Sequence, residues 1–575
     1  MLARTFTGPL AGILAALSLA GCATAPATPV EGAAPQTMHG AVSAADPRAQ
    51  AAGDEMLRRG GTATDAAIAV MLALTVVEPQ SSGIGGGGFM VLGDADGTVT
   101  TYDGRETAPA GATPDWFLDK DGKVPPFRES VRSGLSVGVP GNLALAAKAH
   151  AEHGKLPWAE LFEPAIALAR DGFRVNPRLN KSLSDSADTG ARSDQGKALY
   201  YDPAGAPVAI GSTLTNPALA RTLERIAQAG PDAFYDGDLA ERIAKTVADD
   251  TPRSGAMTVQ DIEGYVAKER APLCTRYRAY RICAMGPPTS GGIAVMQMLG
   301  QLERFDLAAL GPRNPVTWHL FLESQRLAYA DRELYLADSD FVPVPAAGLI
   351  APDYLARRGA LILPGSTLAE VKPGTPEGAD LALADGDEPE ERGTSHIAVV
   401  DAAGTMISYT STIESAFGSG LMVDGFYLNN ELTDFSRSPT VDGKPVANRV
   451  EGGKRPRSSM SPVVVYDPQG QPFMAVGAAG GSTIPVQTAR SIIGVIDFGL
   501  APEDALGLPF VMAFGDSVLL EEGTWLADSQ DAFRSLGHTM LTIRPAPVKA
   551  GIVVREGDGW VSARDPRLEG QLELP

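Results

Sequence analysis

The sequence predicts an α+β fold, and two observations carry that reading. Residues 40–380 mix helical and strand-like patterns, with 140–330 mostly helical. Beyond an acidic, Gly- and Pro-bearing stretch at 374–393, the pattern turns to β-rich runs: TSHIAVV, TMISYTSTI, SPVVVYD and PFMAVGAAGG. The 575 residues carry 48 Lys+Arg against 69 Asp+Glu, a net charge of −21. That acid surplus excludes nucleic acid as a partner, because phosphate binding needs clustered cations. It also excludes a polybasic membrane-binding surface. A hydrophobic share of 44% with 20% charged residues is the balance of a packed globular chain.

The first element is a targeting segment. Arg4 precedes the apolar run Leu10–Ala20, which is too short to span a bilayer. Leu19-Ala20-Gly21-Cys22 follows, and these four residues resemble a bacterial lipobox. Residues 1–21 then read as a lipoprotein signal peptide, with Cys22 the lipidated first residue of the mature chain. Residues 22–40, with ATAPATPVEGAAP, read as a flexible tether. The expected location is the periplasmic side of a bacterial membrane, held only by that lipid. Ala23-Thr24 lack the acid that hints at inner-membrane retention, so the expectation is the outer membrane.

Further along, TDAAIAVMLALTVV (64–77) predicts a buried helix with a Thr/Asp start signal, and FMVLGDADGTVTTYDG a strand hairpin. PALARTLERIAQAG and HLFLESQRLAYADRELYLAD are amphipathic helices. Three cysteines rule out a disulfide scaffold and a Cys-rich metal site. Cys274 and Cys283 fall opposite one another if PLCTRYRAYRICAMG is a hairpin with Arg278-Ala279 at its tip. A disulfide and two free core thiols both fit that arrangement. The six histidines are scattered; His150 and His153, i,i+3 on a helix, read as solvated surface rather than as zinc ligands. No metal or cofactor is expected.

Two nucleotide- and nucleophile-type motifs fail on context. Gly83–Gly88 contains GxGxxG, but it follows a helix and precedes a strand, the reverse of a dinucleotide site. Its glycines read instead as close packing or a tight turn. Gly134-Leu135-Ser136-Val137-Gly138 matches GxSxG, yet Val139-Pro140-Gly141 forbids a helix starting at Ser136.

The segment GTSHIAVVDAAGTMISYTSTIESAFGSG carries more. Its two β-rich runs fold about Asp401-Ala402-Ala403-Gly404, which sets Thr394 opposite residue 411 or 412. A Thr pair in a sheet is one reading of Thr394 and Thr412. The other is that Thr394 becomes a chain terminus. A Thr hydroxyl is a poor nucleophile without a base, and a free α-amino group on the same residue, with a pKa of about 7.7–8.0, supplies one.

Around this hairpin, GGTATDAAIAVMLALTVVEPQSSGIGGGGFMVL, DGRETAP, SVGVPG, GPPTSGG, ESQRLAYADRELYL, GTSHIAVVD, YLNNELTDFS, GKRPRSSMSP and GAAGGSTI stand in order. On these pieces residues 40–570 resemble the gamma-glutamyltransferase (glutathione hydrolase) family. The resemblance implies a four-layer αββα sandwich of the N-terminal-nucleophile (Ntn) hydrolase type. It implies self-cleavage between Gly393 and Thr394, giving a large subunit (41–393) and a small one (394–575) that stay together as a heterodimer.

The resemblance also assigns the site. Thr394 attacks a γ-glutamyl carbonyl, Thr412 orients it, and the Gly480-Gly481 N–H groups meet the developing oxyanion. Arg105, Ser458 and Ser459 bind the donor's α-carboxylate; Glu431, Asp434 and Glu414 hold its ammonium. Water or an amino-acid or peptide amine resolves the acyl-enzyme, with glutathione an expected donor. The stretch Ser436–Lys454 is shorter than the lid of some members and lacks Tyr, which predicts an open site. Two other readings remain: a related acylase acting on glutaryl or β-lactam side chains with the same Thr394, and a non-catalytic solute-binding lipoprotein.

Overall fold

The computed structural model describes residues 40–380, 382–384, 393–547 and 549–574. The signal segment, Cys22, the tether and residues 385–392 of the acidic stretch lie outside them. Two six-stranded sheets form the centre. In chain order their strands are β1 (Ala41–Ala44), β2 (Gly87–Gly93), β3 (Val99–Gly104), β4 (Lys268–Arg270), β5 (Leu273–Tyr277), β6 (Tyr280–Ala284), β7 (Ser395–Val400), β8 (Met406–Thr412), β9 (Val463–Tyr466), β10 (Pro472–Ala479), β11 (Lys549–Glu556) and β12 (Gly559–Arg564). The first sheet runs β1-β7-β8-β2-β3-β4 and the second β12-β11-β10-β9-β6-β5, antiparallel throughout.

Side-chain alternation explains the layering. Met90, Leu92, Ile397, Val399, Ile407 and Tyr409 pack into one core with helices α1 (Pro47–Arg58) and α2 (Ala63–Val77). The residues between them, Phe89, Val91, Ala398 and Val400, belong to the other core, with Val463, Val464, Val476 and Ile552 of the second sheet. A period of two sends neighbours to opposite faces, so both faces of the first sheet are covered. Helices α3 (Gly291–Leu302), α4 (Pro315–Tyr335) and α5 (Ile484–Ile496) complete that second core, which gives the αββα layering.

Helix α2 forms where the sequence marks it. Thr62 and Asp65 build a capping box, and all 15 residues are buried, so a hydrophobic stripe is replaced by an apolar cylinder. Each large side chain so buried contributes roughly 1.5–3 kcal/mol. The GxGxxG stretch links α2 to β2, as its context predicts. Its glycines admit close backbone: a Cβ on Gly86 would stand 1.9 Å from the Thr412 carbonyl oxygen. Ser136 is equally structural, buried in a 3₁₀ turn and donating to the Val131 carbonyl (2.8 Å).

The β7–β8 hairpin resolves the register. Ser395 pairs with Ser411, which leaves Thr394 facing Thr412. Asp401 fixes the turn: its Oδ1 accepts from the Ala403 and Thr405 amides, while Oδ2 accepts from the Ala63 amide at the start of α2. The β5–β6 hairpin turns at Arg278 and Ala279, both at positive φ, and pairs Cys274 with Cys283 as a disulfide.

The histidines correct the sequence reading. His150 and His153 are half-buried, not solvated. His150 Nε2 meets the Leu156 carbonyl and His153 Nε2 the Tyr102 hydroxyl, both at 2.8 Å. Two further histidines meet in space: His319 Nδ1 lies 2.8 Å from His538 Nε2, beside Glu323.

Asp401→Ala leaves three backbone amides without their acceptor, so unfolding should become easier by about 1–3 kcal/mol. Asp96→Ala, in the exposed β2–β3 turn where Asp96 accepts from Thr98, should leave the unfolding midpoint close to that of the parent. Denaturant titration of the two variants checks the contrast.

Candidate active site

Thr394 is buried, and three of its polar groups are held. Its amide donates to the Ser81 carbonyl (2.9 Å), its Oγ1 donates to Thr412 Oγ1 (3.0 Å), and its carbonyl accepts from Lys549 Nζ (2.6 Å). Thr412 Oγ1 accepts in turn from the Glu414 amide (2.8 Å), which fixes the hydroxyl that Thr394 faces. Thr394 has φ +94°, a region that a β-branched residue enters only under strain, of order 1–3 kcal/mol. Gly393 is required beside it: a Cβ there would stand 1.5 Å from the Glu414 carbonyl oxygen.

Lys549 is a site residue that the motifs did not reveal. It opens β11 opposite Ala479, the last residue of β10, and is buried. Its Nζ also donates to Glu78 Oε2 (2.7 Å), Ser81 Oγ (3.2 Å) and Ser395 Oγ (3.2 Å). Burial and the Arg178 cation push the ammonium down to about 8, against the pull of Glu78. Burial would raise Glu78, but Arg178, Lys549 and hydrogen bonds outweigh it and hold its carboxyl at about 2. Removing one partner of such a pair strands a charge in the interior.

Gly480 and Gly481 follow β10 directly. They adopt φ +122° and +60°, and their N–H groups find no acceptor among the described residues. Helix α5 starts three residues later, so its positive dipole end lies on the same side. Gln487 braces the segment: Nε2 donates to the Ala479 carbonyl (2.9 Å), and Oε1 accepts from the Lys549 amide (2.8 Å). Gly480, Gly393 and Lys549 line one cavity of about 500 Å³.

The acids converge on Arg105. Glu431 and Asp434 lie on a 3₁₀ turn and both pair with Arg105, whose guanidinium also donates to the Pro456 (3.2 Å) and Arg457 (2.9 Å) carbonyls. Glu414 and a further acid, Glu106, join them, and neither finds a donor at hydrogen-bonding geometry among the described residues. Burial raises Glu106 to about 8 and lifts Glu414 and Glu431 well above the usual range; neighbouring carboxylates add to the rise. A Cβ on Gly87 would stand 2.4 Å from Glu106 Oε2, so the glycine run also makes room for this acid. Glu106 sits inside DGRETAP, next to the Arg that drew attention.

Ser458 and Ser459 follow the Pro456-Arg457 carbonyls that hold Arg105. Ser458 Oγ accepts from the Met460 amide (3.1 Å), and Ser459 Oγ accepts from Arg332 (2.7 Å). Arg332, on α4, also donates to Ser290 Oγ (2.7 Å) and so ties the start of α3 to the Ser459 loop. The charged residues of the donor side are deeply buried. Residues 440–445 form a short exposed hairpin, yet Arg105, Glu414, Glu431 and Asp434 each expose 2% or less, because the Arg–acid pairs fill the space between them.

A threonine at a strand start, braced by a second threonine across the sheet in an αββα frame, defines a threonine-type Ntn hydrolase. The family model for gamma-glutamyltranspeptidase matches residues 49–574. The chain is 38% identical over 523 residues to the glutathione hydrolase proenzyme of Bacillus subtilis strain 168, covering 89% of this chain and 87% of that one. Among solved structures, the gamma-glutamyltranspeptidase of Helicobacter pylori is 36% identical, with a TM-score of 0.56 over 58% of this chain and 96% of that one. A cephalosporin acylase of Bacillus halodurans reaches a TM-score of 0.78 at 26% identity, over 92% of this chain and 95% of that one. The chain belongs to the gamma-glutamyltranspeptidase family.

Lys549→Met should slow maturation and lower kcat at least about tenfold, because Glu78 loses its cation and the Thr394 carbonyl its donor. Lys549→Arg should recover part of both. Fragment appearance on gels and kcat for a γ-glutamyl anilide read the two effects.

Proposed function

We propose that this protein is a γ-glutamyl hydrolase and transferase, matured by self-cleavage before Thr394 and acting on amides such as glutathione. One observation carries the choice of substrate class: a single Arg amid four buried acids, Glu106, Glu414, Glu431 and Asp434. A γ-glutamyl group presents an α-carboxylate and an α-ammonium together. Arg105, with Ser458 and Ser459, suits the first, and the acids suit the second. A glutaryl group has no ammonium and would bring no cation to Glu106 and Glu414. The acylase reading, favoured by the cephalosporin acylase likeness, is therefore the second one.

In maturation, the Thr394 hydroxyl adds to the Gly393 carbonyl and the peptide C–N bond breaks. Water then hydrolyses the resulting ester, leaving a Gly393 carboxylate and a free Thr394 amine. The cut removes the φ constraint at Thr394, so strain in the precursor favours it. In turnover, that amine takes the Thr394 hydroxyl proton as the oxygen attacks the γ-carbonyl, then gives it to the departing amine. The Gly480 and Gly481 amides receive the oxyanion, each typically worth about 2.7–4 kcal/mol. The two products remain one sandwich, because β7 and β8 of the small subunit sit between β1 and β2 of the large one.

We also propose export and lipid anchoring at Cys22, on the sequence alone. Among the described residues no helix is long and apolar enough to cross a membrane. Fatty-acid labelling that persists in Cys22→Ser would contradict the anchor.

Thr394→Ala should stay a single chain and show no γ-glutamyl anilide turnover, whereas the parent should run as two fragments. An intact Thr394→Ala variant with parental activity would overturn the assignment. The acid cluster adds a pH dependence. Burial raises the Glu106 and Glu414 carboxyls, and a donor ammonium favours their ionised forms, so donor binding releases protons. Raising pH from about 6 to 8 should therefore lower KM for the donor, with Glu106→Gln flattening the trend.

A further inference from the structure

Away from the nucleophile, a second group of chemistry-bearing side chains converges. His319 and Glu323, i and i+4 on α4, share one face of that helix, and His538 meets them from the turn after the short helix Gln530–Ser535. All three are buried, and one ligand atom from each lies within 4.8 Å of the other two. The hydrogen bonds settle which atoms face inward. His319 Nε2 lies 2.8 Å from the Leu363 carbonyl, which only accepts, so in the neutral ring that nitrogen carries the proton. His319 Nδ1 is then the lone pair turned toward His538 Nε2, 2.8 Å away. Glu323 Oε1 accepts from Arg326 Nη1 (2.8 Å) and Oε2 from the Leu368 amide (2.7 Å), which leaves each oxygen a further lone pair. Arg326 is shared with Asp516 (2.6 Å), so its charge is not spent on Glu323 alone.

We infer that His319, Glu323 and His538 form a site for one divalent transition-metal cation of the zinc class. Two imidazole nitrogens and one carboxylate oxygen suit zinc, whereas calcium and magnesium call for oxygen donors throughout. The outer partners fit as well: the Leu363 carbonyl orients His319, and the Leu368 amide and Arg326 orient Glu323, as is usual for metal ligands. Zinc binds nitrogen at roughly 2.0–2.1 Å with tetrahedral angles, so the two rings part by about 0.5 Å on binding. His538 takes its other neutral tautomer, with the proton moved from Nε2 to Nδ1, and no net proton is released. Water takes the fourth position. The site also has a place in the fold. His319 and Glu323 precede Gly393 and His538 follows Thr394, so the cation joins the two chains that maturation leaves; this clamp, unlike the site itself, rests on the self-cleavage reading above. The turn bearing His538 already meets the large subunit through the Thr367 amide, which donates to the Leu536 carbonyl (2.8 Å).

Zinc chloride titrated into chelator-treated, dialysed mature protein tests the site. Calorimetry should show one equivalent per pair of chains, undiminished by excess magnesium. X-ray absorption of the zinc-loaded protein should show two imidazoles around the metal. Because the cation binds the folded pair, zinc should also raise the denaturant concentration at which the two chains separate. His538→Gln and, independently, His319→Gln should each weaken zinc binding by more than about tenfold and remove that rise. Retained γ-glutamyl anilide turnover shows that each variant is folded. A parent that takes up no zinc, zinc held without histidine, or binding unchanged in both variants would reduce His319 and His538 to a hydrogen-bonded pair and overturn the site. The first two of these are read on the parent and need no variant to fold. A parent that runs as one chain on gels would instead overturn self-cleavage and with it the clamp, while zinc uptake still decides the site.

Discussion

Everything in the structure that bears on chemistry depends on how Thr394 is held. Its amide, hydroxyl and carbonyl are each tied to a different partner: Ser81, Thr412 and Lys549. Those partners come from the turn after α2, from β8 and from β11. A backbone at φ +94° persists only where its surroundings over-determine it, and three anchors from three elements do so. The same anchoring serves a nucleophile after cleavage, because a hydroxyl that need not be positioned during reaction avoids that entropic cost.

The two sheets supply the frame. β7 and β8 lie in the middle of the first sheet, paired on both sides, so Thr394 starts a strand that cannot shift register without moving both cores. β10 and β11 of the second sheet end at the same place and deliver Gly480 and Lys549. The glycines after α2 let the Thr412 and Glu106 regions approach closely.

What was legible in the sequence is what depends on local pattern. Asp401–Gly404 announced a turn, and counting outward from it set Thr394 against Thr412. The same counting set Cys274 against Cys283, although only the folded hairpin decided between thiols and a disulfide. Lys549 was not legible, because it acts on a residue 155 positions away and sits in no motif. Glu106 was hidden beside Arg105, since its role comes from burial with three other acids rather than from spacing. His319 and His538, 219 positions apart, could not be paired from sequence at all. The closed acid cluster escaped for a different reason: a short segment at 436–454 says nothing of ion pairs forming beneath it.

Intact-mass analysis of the purified protein, quenched in acid during turnover of a γ-glutamyl amide, addresses the central claim directly. The account predicts a separate chain beginning Thr-Ser-His-Ile that transiently gains the mass of one γ-glutamyl group on its first residue. An active, unbroken chain, or an acyl group carried by any other residue, would contradict it.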